Sequence, residues 1–190
     1  MLQSERNSQK IRFYNPEEHT GDRYPRVNAH TTLGETIIDA FEVTLGEKVA
    51  STELKAPALK GPFLALFAGE AVAEKELLEL LPPTEQQITA IDYNPNLKSN
   101  SQINYLHGDV FNILPRLESS SFGLITVFGA DESIEPEEWP ILLSEIDRIT
   151  KPEGYVVLTS APNLTEMQKH FQAIFESTGI WIGFKKGESR

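Results

Sequence analysis

The chain has 190 residues, 39% of them apolar and 24% charged, enough for a single domain with a substantial core. It holds no cysteine, which excludes disulfides, thiolate zinc sites, iron–sulfur clusters and a cysteine nucleophile. Lysine and arginine number 17 against 28 aspartate and glutamate, a net charge of −11, and that field repels phosphate backbones and anionic membranes.

Neither nucleic acid nor membrane is therefore an expected partner, and the basic end "FKKGESR" is expected to be a solvated tail. The polar start "MLQSERNSQK" has no apolar h-region, and no apolar run approaches the ~18 residues of a membrane span. A cytosolic location is the expectation.

In chain order, residues 1–30 form a polar lead-in carrying Phe13, Tyr14 and Tyr24 among Pro16, Gly21 and Pro25. Those rings suit either packing on the domain or a lid over its binding face. Thr32 and Glu35 make a capping-box pattern, and Leu33, Ile37, Phe41 and Leu45 follow at helical spacing, so a helix is predicted over about 33–45. Residues 1–60 read as an N-terminal extension packing on or capping an α/β domain over 61–190.

From residue 61 strands and helices alternate. "FLALF" (63–67) is a buried strand and "AVAEKELLELL" (71–81) a helix stopped by Pro82 and Pro83. "QITAID" (87–92) is a second strand, followed by the turn "YNPN" and a short helix, and "INYLHGD" (103–109) is a third, with a helical piece through "FNILPRLE". "FGLITVFG" (122–129) is a fourth, and the helix "PEEWPILLSEIDRIT" then puts Trp139, Leu142, Leu143, Ile146 and Ile149 on one stripe. The turn "KPEG" leads to the strand "YVVLTS" (155–160). A capped helix "NLTEMQKHFQAIFESTG" turns Leu164, Met167, Phe171, Ile174 and Phe175 inward, and "IWIGF" (180–184) closes as a sixth strand.

This alternation predicts βαβ units, hence a three-layer α/β fold: a doubly wound, mostly parallel, Rossmann-like sheet of six or seven strands. Ligands in such sheets bind beyond the carboxyl ends of the strands, where strand order reverses. At those ends stand Ala68-Gly69-Glu70, then Asp92, 23 residues beyond Gly69, then His107-Gly108-Asp109. A carboxylate at that interval suits the two hydroxyls of a ribose, and it equally suits a turn-forming aspartate before Tyr93-Asn94-Pro95. Asp109 is in addition placed to cap the helix that begins near Val110.

The phrases "FLALFAGEAVAE", "ITAIDYNP", "INYLHGDVFNIL", "SFGLITVFGADES" and "LLSEIDRITKPEGYVVLTSA" in this order resemble the class I S-adenosylmethionine-dependent methyltransferases, the small-molecule members in particular, over about residues 60–184. The phrase "SEIDRITKPEGYVVL" is the strongest cue, with Glu153 at the first glycine of the family's K-P-G-G. The resemblance implies S-adenosylmethionine as cofactor, with Asp92 on its ribose and Gly108-Asp109 on its adenine. Ala68, Gly69, Glu70, Tyr93 and Val110, the last through its backbone, complete the implied cofactor-binding set.

The family's acid and G-x-G-x-G after strand one are not matched. With Gly69 as the middle glycine, Phe67 and Ala71 replace the outer two and Ala65 replaces the acid. With Gly69 as the first glycine, Ala71 and Ala73 replace the others and Phe67 the acid. Alanine permits close approach but is not expected to take glycine's positive φ, and Glu70 is left to supply the missing charge.

Methyl transfer can proceed by alignment alone, so no base is compulsory. His107, Asp131 and Glu132 are the candidate proton acceptors at the rim. The alternative is an inactive methyltransferase-fold protein that serves as a binding or scaffold partner. A nicotinamide dehydrogenase would need G-x-G-x-x-G and a serine hydrolase G-x-S-x-G, and neither occurs. His19, His30 and His170 lack metal-ligand spacing, so no metal is expected. A sheet ending at residues 180–184 would expose an edge, so a homodimer or larger complex is a further expectation.

Overall fold

The computed structural model describes residues 61–75, 87–128, 134–159, 164–177 and 180–187. The proposed lead-in and its helix over 33–45 lie outside them. Strands β1 (Phe63–Leu66), β2 (Ile88–Asp92), β3 (Ile103–His107), β4 (Phe122–Val127), β5 (Thr150–Thr159), β6 (Gln172–Ser177) and β7 (Ile180–Phe184) form one seven-stranded sheet in the order β3-β2-β1-β4-β5-β7-β6. The pairs β2–β3, β1–β2, β1–β4 and β4–β5 are parallel, while β7 lies antiparallel to both β5 and β6. One reversed strand in an otherwise parallel sheet satisfies the expected class.

The central strands β1 and β4 are buried along their whole length, which is why they carry continuous apolar runs rather than an alternating pattern. One face of the sheet packs Leu64, Leu66, Ile91, Val127 and Leu158 against helices. The other gathers Phe63, Ala65, Ala90, Tyr105, Leu124 and Val157. Helical residues 72–75 (α1) follow β1; α2 (Val110–Ile113) runs into a 3-10 turn, Leu114–Arg116; α3 (Trp139–Ile149) precedes β5; and α4 (Leu164–His170) precedes β6. The predicted stripe on α3, from Trp139 through Ile149, is wholly buried, as its 3.6-residue period requires.

Three expectations need correction. No helix follows "YNPN": Asn94 Oδ1 accepts from Asn96 N at 3.0 Å and Asn100 Oδ1 from Gln102 N at 2.8 Å and Ile103 N at 2.9 Å, so side chains satisfy the backbone there. "KPEG" is not a simple turn before β5 but lies within it, as an irregularity where pairing with β4 jumps from Thr150 to Tyr155. The helix predicted over 163–179 ends at His170, and Gln172–Ser177 is a strand. Met167, Phe171 and Ile174 fit a helical stripe, yet Ala173 and Ile174 pack on opposite faces of the sheet, the alternation of a strand. Residues 180–184 are consequently an inner seventh strand rather than an exposed sixth, and the edges are β3 and β6.

Candidate functional site

Strand order reverses between β1 and β4, so the crevice expected of this fold opens beyond their carboxyl ends. The chain leaves β1 there through residues 67–71. Phe67, Gly69 and Ala71 all take left-handed backbone, with φ of 56°, 50° and 52°. The expectation that alanine would not adopt this conformation is overturned, and the alternation selects Gly69 as the middle of the three turn positions. For a residue bearing a Cβ the conformation costs about 1–2 kcal/mol, so the surrounding contacts must hold the turn.

Those contacts converge on the Gly69 backbone. Gly69 N donates to Asp92 Oδ2 at 2.8 Å, and Tyr105 Oη donates to Gly69 O at 2.9 Å. Strands β2 and β3 thus hold the two peptides that meet at Gly69. Asp92 Oδ1 accepts from Asn94 N at 2.8 Å, so the turn-forming role weighed for this aspartate is present. A Cβ built on Gly69 would meet nothing within 4 Å; the space above this residue is open.

The other residues of the set fall close by. Asp92 and His107 are register partners on β2 and β3, and Gly108 N donates to Asp92 O at 3.0 Å. The His107 ring is exposed and stacks on Tyr105, centroids 6.0 Å apart. Asp109 caps α2, its Oδ1 accepting from Phe111 N at 2.9 Å. Val110 is buried, so its side chain belongs to the core. Ala68 packs against the second face, Tyr93 is half-buried, and Glu70 is exposed with its carbonyl accepting from Lys75 Nζ at 2.8 Å. Asp131 and Glu132 lie outside the described residues. The structure therefore brings Gly69, Asp92, His107 and Gly108 to one rim, while Asp109 and Val110 turn toward α2.

Two side chains at this rim were not singled out in the sequence. Tyr105 carries a phenol pushed up to about 12, first by burial and then by Asp92, Glu74 and Glu70. It stays a neutral donor to Gly69 throughout the physiological range. Its signal was its position two residues before His107, hence on the same strand face. Glu74 is 2% exposed and bonded to Thr126 on β4; its signal was a charge three residues after the buried Ala71, on the side of α1 that meets the sheet. Among the described residues no group of three or more histidines, aspartates and glutamates could hold a metal ion.

A family model described as "Methyltransferase domain" matches residues 69–158. No curated protein matches the sequence. Among solved structures, the chain is similar to the CurJ carbon methyltransferase at 15% identity and TM-score 0.53, covering 76% of this chain and 54% of that one. It is similar to human N-acetylserotonin methyltransferase in complex with SAM at 16% and 0.52, covering 82% and 54%. It is also similar to the N-methyltransferase NodS of Bradyrhizobium japonicum WM9 at 12% and 0.54, covering 80% and 97%. The chain spans about half the length of the first two. The likeness is one of fold, a Rossmann-like methyltransferase fold.

Proposed function

We propose that this protein is an S-adenosylmethionine-dependent methyltransferase acting on a small molecule. The observation that carries the reading is the turn 67–71, whose backbone keeps three alternating left-handed positions with glycine at only the middle one, bonded to the acid at the end of β2. Backbone strain held by surrounding contacts at a ligand-facing turn is a mark of function. The open space above Gly69 and the half-exposed Asp92 fit the nucleoside part of the cofactor. At the other end the fit is partial, because Ala65 is buried and β1 offers no carboxylate to an ammonium.

When bound, S-adenosylmethionine supplies an electrophilic methyl group. Asp92, with acceptor capacity left after its two backbone bonds, takes ribose hydroxyls. The backbone around Gly108 would meet the base, and Glu70, exposed beside the turn, would attract the ammonium. Of the three candidate proton acceptors, exposed His107 is the one among the described residues. The net charge of −11 disfavours nucleic acid as that substrate. CurJ and NodS are named for carbon and nitrogen methylation, so the fold leaves the acceptor atom open.

A non-catalytic scaffold is the second reading, favoured by Ala65 and by the engagement of both Asp92 oxygens with backbone. Titration calorimetry with S-adenosylhomocysteine separates the two. Binding that weakens at least tenfold in Asp92→Ala is expected of the enzyme, whereas no heat at millimolar ligand selects the scaffold.

A further inference from the structure

Glu74 is the acidic residue that the described core encloses, 2% exposed. It accepts from Thr126 Oγ1 at 3.1 Å, and Thr126 is fully buried on β4 as the register partner of Ala65 on β1. Ala65 is in turn the register partner of Ala90 on β2. The two methyl-sized side chains leave room on this face for a carboxyl reaching down from α1. Glu74 therefore crosses the switch point, joining the helix that follows β1 to the strand on the far side of the crevice.

The charged and titratable groups around it, among the described residues, are few. On α1 the adjacent Lys75 is held at the turn through the Glu70 carbonyl. Glu70 and Asp92 lie on the turn and on β2, and Tyr105 on β3 feels Asp92, Glu74 and Glu70 together. Beta-1 presents Ala65 and β4 presents Thr126. Burial raises the Glu74 carboxyl to about 7, against weaker lowering by backbone, Thr126 and Lys75. In the ionised form one hydroxyl and one backbone bond are a poor replacement for water, so the carboxylate gains by hydration, which α1 admits by lifting. The first turn of α1 is continuous with the strained loop: Lys75 N donates to Ala71 O at 3.0 Å and Ala71 N to Ala68 O at 2.7 Å. Left-handed Phe67 and Ala71 relax when that hold is lost.

We propose that Glu74 is a proton-operated latch on the candidate site: neutral, it seats α1 on β4 and fixes the turn 67–71; ionised, it releases both. Its effect on ligand affinity rests on the function proposed above, whereas the latch itself belongs to the fold. Hydrogen exchange of the 190-residue chain between pH 6 and 8, corrected for the intrinsic pH dependence of exchange, reads the latch without any ligand. Segment 67–75 is expected to exchange about five- to tenfold faster at the upper end, the most that one carboxyl shifted from 4.5 to about 7 supplies over this range, with β4 and β5 unchanged. Glu74→Gln, which keeps an acceptor for Thr126 and cannot ionise, is expected to stay protected throughout. Thr126→Val, which removes the donor that favours the carboxylate, is expected to move the midpoint upward. A flat wild-type profile, wild-type pH dependence in Glu74→Gln, or an unmoved midpoint in Thr126→Val overturns the proposal. Calorimetry with S-adenosylhomocysteine at both pH values tells the two failures apart: absent binding with a normal exchange profile removes the methyltransferase reading and leaves the latch.

Discussion

The loop after β1 and the irregular stretch that opens β5 have met the same demand by different means. Both hold left-handed backbone on residues with side chains, Phe67 and Ala71 in one and Glu153, at φ 65°, in the other. At Glu153 the path is fixed by main chain: Glu153 N donates to Lys185 O at 2.8 Å, and Lys185 N to Gly154 O at 2.9 Å. At the first loop main-chain bonds, Ala68 N to Ile91 O and Ala71 N to Ala68 O, are joined by side-chain ones, Asp92 and Tyr105 on Gly69 and Thr126 on Glu74. Backbone ties change little with substitution or pH, while carboxyl and phenol ties respond to both. The β5 stretch is accordingly scaffold, and the β1 loop is where conformation can be tuned.

That difference is open to test by stability measurements. The largest effect belongs to Glu74. The folded chain keeps a proton up to about pH 7 that an unfolded carboxyl with a pKa of 4.5 has already released. The resulting stability is fully present below pH 4.5 and is lost as pH rises through about 7, on the order of 3 kcal/mol in all. Denaturant unfolding at pH 5 and pH 8 is expected to show this loss, and Glu74→Gln to abolish most of it; an unchanged slope in the variant would remove Glu74 as the cause.

Next comes the scaffold itself. A Cβ on Gly154 would lie 2.8 Å from Thr150 Cγ2 and 2.9 Å from Lys151 O. Gly154→Ala should therefore cost about 2–3 kcal/mol in chemical denaturation, because backbone on the near side cannot yield. Asp92→Asn comes third. An amide turns a donor toward Gly69 N or Asn94 N where the carboxylate accepted from both, a loss of about 1–2 kcal/mol. Hydrogen exchange should place that loss in the β1 loop rather than in β5, and uniform loss would count against the comparison. Smallest, and opposite in sign, is Glu153→Gly. This exposed residue leaves a left-handed conformation that glycine takes freely, so the melting temperature should rise by an amount equivalent to about 0.5–1 kcal/mol.

Much of the fold was legible in the chain. Continuous apolar runs marked β1 and β4, and the stripe from Trp139 to Ile149 marked α3, because burial on two faces or on one stripe writes its period directly into residue order. The segment from Met167 to Phe175 misled, since apolar residues there satisfied both periods and pairing with β7 decided between them. At the candidate site, the placement of Gly69, Asp92, His107 and Gly108 at neighbouring strand ends was legible from spacing. Tyr105 and Glu74 were not, because their roles come from contacts across 36 and 52 residues of chain.

The order of residues alone determined a soluble-type composition, the alternation of strands and helices, and which acids and glycines stand at strand ends. Those properties are local, set by periodicity and by the chemistry of turns. Tertiary structure alone decided that Phe67 and Ala71 assume the backbone of glycine, that Asp92 and Tyr105 grip the backbone of one residue, Gly69, and that a buried acid bridges α1 and β4. A strained dihedral or a raised carboxyl pKa is imposed by neighbours distant in sequence, and only packing brings those neighbours together.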